Sequence, residues 1–287
     1  MQKEPVRILP ADAAPWDSLV QALNRGYSDY SEPIHTTVLQ LQQMVTAWDI
    51  DRRGSVIAFS PHGRPIGVGL LGIRGNRAWI GGLAVAPEWR RRGVGRAILN
   101  SLIQAARERE ATSVTLEVLT ENEPAISLYR STGFHIHREL LSWERGPEVG
   151  ALPPPASRAV PAKATELVSN FDAWHAEPPC WQRELRSLRP HLHRMDGWGL
   201  FEGSQLVAYA LTFEQGNQLT LVDVGISPFA DAHITARALL QSLQLLHAEC
   251  LLTLRNIPAG DPLNHTLAAL GFQVDRRQYE MILKLPP

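Results

Sequence analysis

Apolar residues recur along the first half of the chain with two interleaved periods. "VRILP" (Val6 to Pro10) alternates like a short strand, and helical spacing follows over Trp16 to Tyr27. A second helix is predicted over Thr37 to Trp48, where Val38, Leu41, Met44 and Val45 share one face. "GSVIAFS", the turn "PHGRP" and "IGVGLLGIR" predict a hairpin, and "NRAWIGGLAVAP" a third strand. Helical spacing returns at Ile98, Leu102, Ile103 and Ala106. "SVTLEVLT" reads as a buried strand, "PAISLYRST" as a short helix opened by Pro124 and closed by Gly133, and "FHIHRELLSWE" as a pair of strands.

The second half repeats that order. Helices are predicted at Ala164 to His175 and Trp181 to His193, then strands through "GLFEGSQLVAYALTFEQGNQLTLVDVGISP". The helix "ITARALLQSLQLL", strand "LLTLRN", helix "PLNHTLAAL" and a closing strand complete it, and each half ends its last helix with Gly-Phe, Gly133-Phe134 and Gly271-Phe272. The composition break from Arg145 to Pro161, with three consecutive prolines, sets the expected division: residues 1–147, a spacer 148–160, and residues 161–287. The implied class is α/β with a mixed sheet, used twice.

Composition narrows the chemistry. The 287 residues are 44% hydrophobic and 20% charged, which is globular and not disordered. With 28 Lys+Arg against 29 Asp+Glu, no global field gathers nucleic acid or an anionic membrane, so any anion site must be local. No segment approaches the ~20 apolar residues of a membrane span, and the N-terminus has no apolar signal region, so a cytoplasmic protein is expected. Cys180 and Cys250 lack C-x-x-C spacing and read as buried thiols, not a redox pair.

The local anion site is "EWRRRGVGRAIL", between a strand and a helix. A helix N-terminus exposes unpaired N–H groups and about half a positive charge, and Gly93 and Gly95 keep side chains off that backbone. Arg90, Arg91, Arg92 and Arg96 supply cations for more than one phosphate. A dinucleotide-binding loop of an oxidoreductase is one alternative, with Glu117 as its ribose acid. However, that fingerprint wants Gly or Ala where Ile98 stands, and three strands precede this loop.

"LAVAPEWRRRGVGRAILNSLIQAARE" resembles the acetyl-CoA-binding motif of the GNAT N-acetyltransferase superfamily, with Val85, Pro87, Arg90, Gly93 and Gly95 in its places. "LEVLTENEPAISLYRSTGF" resembles its second block through Glu117, Asn122, Ala125, Tyr129, Gly133 and Phe134. Together the blocks cover roughly residues 6 to 145. The resemblance implies a GNAT fold in two tandem copies, with acetyl-CoA as co-substrate and no metal. Leu83, Ala84 and Val85 would pair with the pantetheine arm, and Gly81-Gly82 suits a bulge that starts a separation of the flanking strands. The turn from Arg91 through Arg92, Gly93, Val94 and Gly95 to Arg96 would hold the pyrophosphate, with Arg90 supporting it. Asn122 would contact the coenzyme or cap its helix.

Tyr129 matches the family's general acid. Glu117 precedes it by twelve residues, the spacing of base and acid in the bacterial ribosomal-protein N-terminal acetyltransferases that this block resembles. The reaction implied is acetyl transfer to the primary amine of a small molecule or peptide by direct attack; the alternative is a coenzyme-binding module without catalysis. Tyr27, Tyr30, His35 and Trp79 are the candidate acceptor-side residues. His135 and His137 share a strand face without an evident third metal ligand. No nucleic-acid or membrane partner is expected. The tandem copies imply a pseudo-dimeric monomer or a homodimer.

Matching the Gly-Phe pairs, 138 residues apart, sets Glu117 against Arg255, Asn122 against Gly260 and Tyr129 against Leu267. The turn after Pro228, "FADAHITA", has no glycine and no arginine before Arg237. Residues 161–287 are therefore expected to keep the fold without the chemistry.

Overall fold

The computed structural model describes residues 6–29, 35–147 and 157–286. In chain order the first elements are β1 (Arg7–Pro10), α1 (Trp16–Gly26), α2 (Val38–Ala47), β2 (Val56–Phe59), β3 (Pro65–Arg74) and β4 (Arg77–Val85). Then come α3 (Val94–Glu108), β5 (Ser113–Leu119), α4 (Glu123–Arg130) and β6 (His135–Arg145). The second half contains β7 (Val160–Ala162), α5 (Ala164–Leu167), α6 (Leu185–Leu188), β8 (Asp196–Glu202), β9 (Gln205–Gln215) and β10 (Gln218–Ile226). It closes with α7 (Ala232–Leu246), β11 (Leu251–Pro258), α8 (Leu263–Ala269) and β12 (Gln273–Lys284).

Two compact units result, and their limits differ from the expected ones. Unit 1 is Met1–His137 together with Glu280–Pro287, and unit 2 is Arg138–Tyr279. The expected strand pair "FHIHRELLSWE" is the single strand β6, because no turn residue interrupts it; most of it belongs to unit 2. Unit 1 instead takes its last strand from the C-terminal part of β12, beside β5, where the Leu285 amide donates to the Thr112 carbonyl at 2.9 Å. The proline-rich residues 148–156 lie outside the described residues.

In unit 1 the strand order is β1-β2-β3-β4-β5-β12. β1 to β4 form an antiparallel meander, and β4 pairs β5 in parallel. A mixed sheet of this kind replaces the doubly wound parallel sheet that a dinucleotide-binding reading requires. β3 is buried on both faces because helices cover it from either side. Gly67 and Gly69 make that possible: a Cβ on Gly69 would lie 2.6 Å from Cγ2 of Ile98 and 2.8 Å from Cδ1 of Leu102, both on α3. α1 buries Leu19, Ala22, Leu23 and Gly26 at the expected helical spacing. α2 opens with a capping box, in which Thr37 Oγ1 accepts from the Gln40 amide and Gln40 Oε1 accepts from the Thr37 amide.

Unit 2 has the corresponding order β6-β11-β10-β9-β8-β7. Its two expected long helices are instead four-residue α5 and α6 joined to 3-10 turns. Asn170 (φ −106°, ψ 16°) and the extended Glu184 break them, and prolines 178, 179 and 190 flank the breaks. Cys180 and Cys250 are both buried and in no disulfide. Among the described residues, no helix is long and apolar enough to cross a membrane.

A polar cluster sits in the middle of unit 2. Asp223 is completely buried and accepts from His175 Nε2 at 3.0 Å, Arg183 Nη2 at 2.8 Å and the Tyr209 hydroxyl at 2.9 Å. Burial opposes its charge, but His175, Arg183 and Tyr209 outweigh it and hold the carboxyl below its ordinary 3.8. Burial likewise opposes charge on His175, and Asp223 overrides it, raising the imidazole above 6.5.

Two predictions follow from the packing. Deleting residues 280–287 removes the buried side chains of Met281 and Leu285 from unit 1. At about 1.5–3 kcal/mol each, this costs roughly 3–6 kcal/mol, read as a lower Tm. Asp223→Ala leaves Arg183 buried without its counter-charge and costs about 3–5 kcal/mol by urea unfolding. The pH dependence has two arms. The Asp223 contribution is present above its ordinary value and lost as pH falls through the depressed folded one; that of His175 is full below 6.5 and lost as pH rises past its raised value. Urea midpoints measured across pH should therefore decline on both sides, and His175→Asn should remove the alkaline arm.

Candidate active site

The site forms where the parallel ladder of β4 and β5 stops. Arg77 pairs with Ser113, Ala78 with Val114, Trp79 with Thr115 and Ile80 with Leu116, and the ladder ends there although β4 runs on to Val85 and β5 to Leu119. The cause lies on the other side of β4. Against β3, Ile80 faces Leu71 and Gly82 faces Leu70, so Gly81 is an extra, bulged residue that turns the strand. Beyond it Leu83, Ala84 and Val85 stay paired with β3, leaving their β5 side for another chain-like partner.

The turn after β4 is shaped by two left-handed residues. A short 3-10 turn over Pro87–Trp89 leads to Arg91 (φ 61°) and Gly93 (φ 87°), and α3 starts at Val94. Alternation of this kind points successive N–H groups into one concavity, an anion nest, on the positive end of a 15-residue helix. Nothing lies within 4 Å of a Cβ placed on Gly93, and Gly95 sits behind it against Leu128 and Val85.

The arginines divide their labour. Arg90 faces inward as a latch: its Nε donates to the Val85 carbonyl at 3.0 Å, and Nη2 to the Gly26 carbonyl at 2.9 Å. It also grips Asp29 at 2.6 and 2.8 Å. That hydrogen bonding holds the Asp29 carboxyl below its ordinary value. Arg90 thus ties the end of β4 to the end of α1. Arg96 donates to Ser131 Oγ at 2.7 Å, and Arg92 lies 5.1 Å over the Trp89 ring. Arg91 and Arg92 are solvent-exposed beside the nest.

On the other branch of the split, Glu117 accepts a 2.7 Å hydrogen bond from Trp79 Nε1. Asn122 caps α4, its Oδ1 accepting from the Ala125 amide at 3.2 Å. Tyr129 is 7% exposed, in the last turn of α4, tilted against Phe134 with centroids 5.9 Å apart. Gly133 (φ 98°) turns the chain after it. On the acceptor side, the Tyr27 hydroxyl is 3.6 Å from the position of a Cβ on Gly82, directly over the bulge. His35 is exposed ahead of α2, and Tyr30 lies outside the described residues. Trp79, expected to line an aromatic pocket, is 1% exposed and faces Glu117. His135 and His137 are exposed.

Three supports had no obvious signal in the sequence. The Asn24 side chain makes two hydrogen bonds to the Thr36 backbone, at 2.8 and 2.9 Å, closing the α1–α2 connection. A Cβ on Gly26 would lie 2.5 Å from the Ala84 Cβ, so this glycine lets α1 sit directly on β4. Trp48 meets Trp79 edge to face at 5.6 Å.

A family model described as the acetyltransferase (GNAT) family matches residues 16–134, the stretch that carries the split and the nest. Residues 16–134 are a GNAT acetyltransferase domain. The chain is 40% identical over 60 residues to the [ribosomal protein bS18]-alanine N-acetyltransferase of Escherichia coli K12, covering 21% of this chain and 40% of that protein. It is 32% identical over 114 residues to the mycothiol acetyltransferase of Clavibacter sepedonicus, covering 39% and 38%. The chain thus spans about two fifths of the length of these curated relatives. In fold it is similar to a GCN5-related N-acetyltransferase from Sphaerobacter thermophilus, with TM-score 0.68 and 16% identity over 98% of this chain and 96% of that one. It is also similar to a tandem GNAT protein from the clavulanic acid biosynthesis pathway, with TM-score 0.65 and 17% identity over 99% of both.

In unit 2 the positions that the Gly-Phe pairs set against Glu117 and Tyr129 carry other groups. Leu267 is completely buried, Arg255 is ion-paired with Asp275, and Asp231 caps its own helix by accepting from the Ile234 amide at 2.9 Å. A carboxylate already occupies that helix N-terminus.

The latch gives a direct test. Arg90→Ala removes hydrogen bonds to two main-chain carbonyls and to Asp29. The two main-chain bonds, at about 0.5–1.5 kcal/mol each, dominate over the exposed Asp29 pair, so amide exchange over residues 86–93 should accelerate by roughly 10- to 100-fold, measured by mass spectrometry.

Proposed function

We propose that the GNAT domain transfers acetyl from acetyl-CoA to a primary amine by direct attack, and that unit 2 does not bind the coenzyme. The observation that carries this reading is the early end of the β4–β5 ladder beside a nest with no side chain at Gly93. The chain fits the coenzyme there. The N–H groups from Arg91 to Arg96 hold the pyrophosphate, Arg91 and Arg92 add charge, and Leu83 to Val85 pair with the pantetheine arm. When bound, the coenzyme supplies an acetyl thioester and a thiolate leaving group.

The chain's own residues handle the protons. Glu117, through a water, takes a proton from the acceptor ammonium and frees the nitrogen lone pair to form the C–N bond. A main-chain N–H of β4 past the bulge steadies the charge that develops on the carbonyl oxygen. As the C–S bond breaks, the Tyr129 hydroxyl gives its proton to the sulfur. The proton shed by the acylated nitrogen restores it. Tyr27, over the bulge, borders the acceptor. The acceptor is the amine of a small molecule or a peptide, by analogy with the named relatives.

Calorimetry should find one acetyl-CoA site per chain, lost in Gly93→Glu and kept in Tyr129→Phe. With an amine panel and thiol release as the assay, Tyr129→Phe should lower kcat by about 10²–10⁴ with coenzyme affinity nearly unchanged. Binding without thiol release from any amine would support the non-catalytic module instead, and absence of binding would end both readings.

A further inference from the structure

Trp79 was expected at the acceptor pocket, yet its indole is buried and makes a polar contact with Glu117. We infer that Trp79 is a positioning residue for acetyl transfer: its indole N–H holds the Glu117 carboxylate ionised and fixed at the point where β4 and β5 part. The inference rests on the reading of Glu117 as the base.

The geometry makes the contact specific. Nε1 is 2.7 Å from Oε2 of Glu117, the short end of the range for a charge-assisted N–H···O bond. The two residues sit on neighbouring strands, Trp79 opposite Thr115 and so one alternation from Glu117 on the same face. The indole cannot swing aside on its main-chain flank, because it folds over Gly81. A Cβ there would lie 2.2 Å from Cζ3 and 2.6 Å from Cη2 of the ring. Its other flank meets the Trp48 ring edge to face. A single bare residue therefore does two jobs: it bulges β4 to open the split, and it makes room for the ring that aims the base.

The choice of donor matters chemically. A lysine or arginine would hold Glu117 as firmly but would neutralise it and repel the acceptor ammonium. An indole N–H is a donor that carries no net charge and cannot give up its proton at any working pH. It stabilises the carboxylate without cancelling its negative charge. In unit 2 the position matching Trp79 by register is Thr220, which like Trp79 sits next to last in its parallel ladder, and Arg255 stands in place of Glu117. Donor and acceptor are both absent from the second repeat.

The test is the pH profile of kcat/KM for Trp79→Phe, with Glu117→Gln in parallel. Losing the donor to the charged form should move the acid limb up by about one pH unit, so that the rate falls roughly tenfold on the acid side of the limb and recovers to the wild-type plateau as pH rises. Acetyl-CoA affinity should stay unchanged, reporting an intact fold. The titratable side chains on the elements flanking β5 are Glu123, Tyr129 and Arg130 on α4, Arg77 on β4, and Glu280 and Lys284 on the unit 1 part of β12. The substitution alters none of them, so a moved limb isolates the indole. In wild-type protein labelled with nitrogen-15, the Trp79 indole N–H resonance should follow the same titration and lose it in Glu117→Gln; this holds even where Trp79→Phe folds poorly. A Trp79→Phe profile that superimposes on wild type, or an indole resonance indifferent to Glu117, overturns the inference while leaving the base assignment standing. Full activity with an unmoved limb in Glu117→Gln overturns the base assignment, and the inference with it.

Discussion

One residue too many in β4 governs unit 1. Gly81 has no partner on β3, so the strand bends away from β5 after only four ladder pairs. Two strands that part inside a sheet leave main-chain donors and acceptors unsatisfied, which is unfavourable unless something pairs with them. In this domain that something is read as the coenzyme's own amide-bearing arm. The glycine turn, the latch of Arg90 and the close seat of α1 on Gly26 all serve to hold β4 in its bent course.

Much of this was legible in the sequence, for a physical reason. Gly93 and Gly95, the arginines around them and the strand–turn–helix order leave a local mark, because a bare helix N-terminus has few other uses beside a basic turn. The periodicity of α1, α2 and α3 was equally local. The long-range features were not visible. Nothing near Arg90 announces that it reaches back to Gly26 and Asp29, some sixty residues upstream. Trp79 looked like a pocket wall, since an aromatic beside a glycine pair gives no sign of which way its ring folds. The short helices of unit 2 were overestimated because apolar spacing outlasts the backbone breaks at Asn170 and Glu184.

The two repeats show what the fold needs and what the chemistry adds. Unit 2 keeps the strand order, and β10 also carries an extra residue, Val222, where its ladder to β11 ends at Leu221 and Leu254. Just past it Asp223 draws in His175, Arg183 and Tyr209, and Gly225 yields room for the Tyr209 ring. The same early end of a parallel ladder is thus accompanied by a glycine turn in one repeat and by a buried ionic cluster in the other.

The exchange of final strands has a bearing on how the chain comes to life on the ribosome. Unit 1 contains the first 137 residues, but its closing strand begins at Glu280, roughly 140 residues later. At the usual pace of about 5–20 residues per second, the nascent first unit waits some 7–30 s with the edge of β5 uncovered. During that interval β1 to β5 lack the strand that lies beside β5 in the finished sheet. The unit that carries the glycine turn is completed only when residues 280–287 reach it.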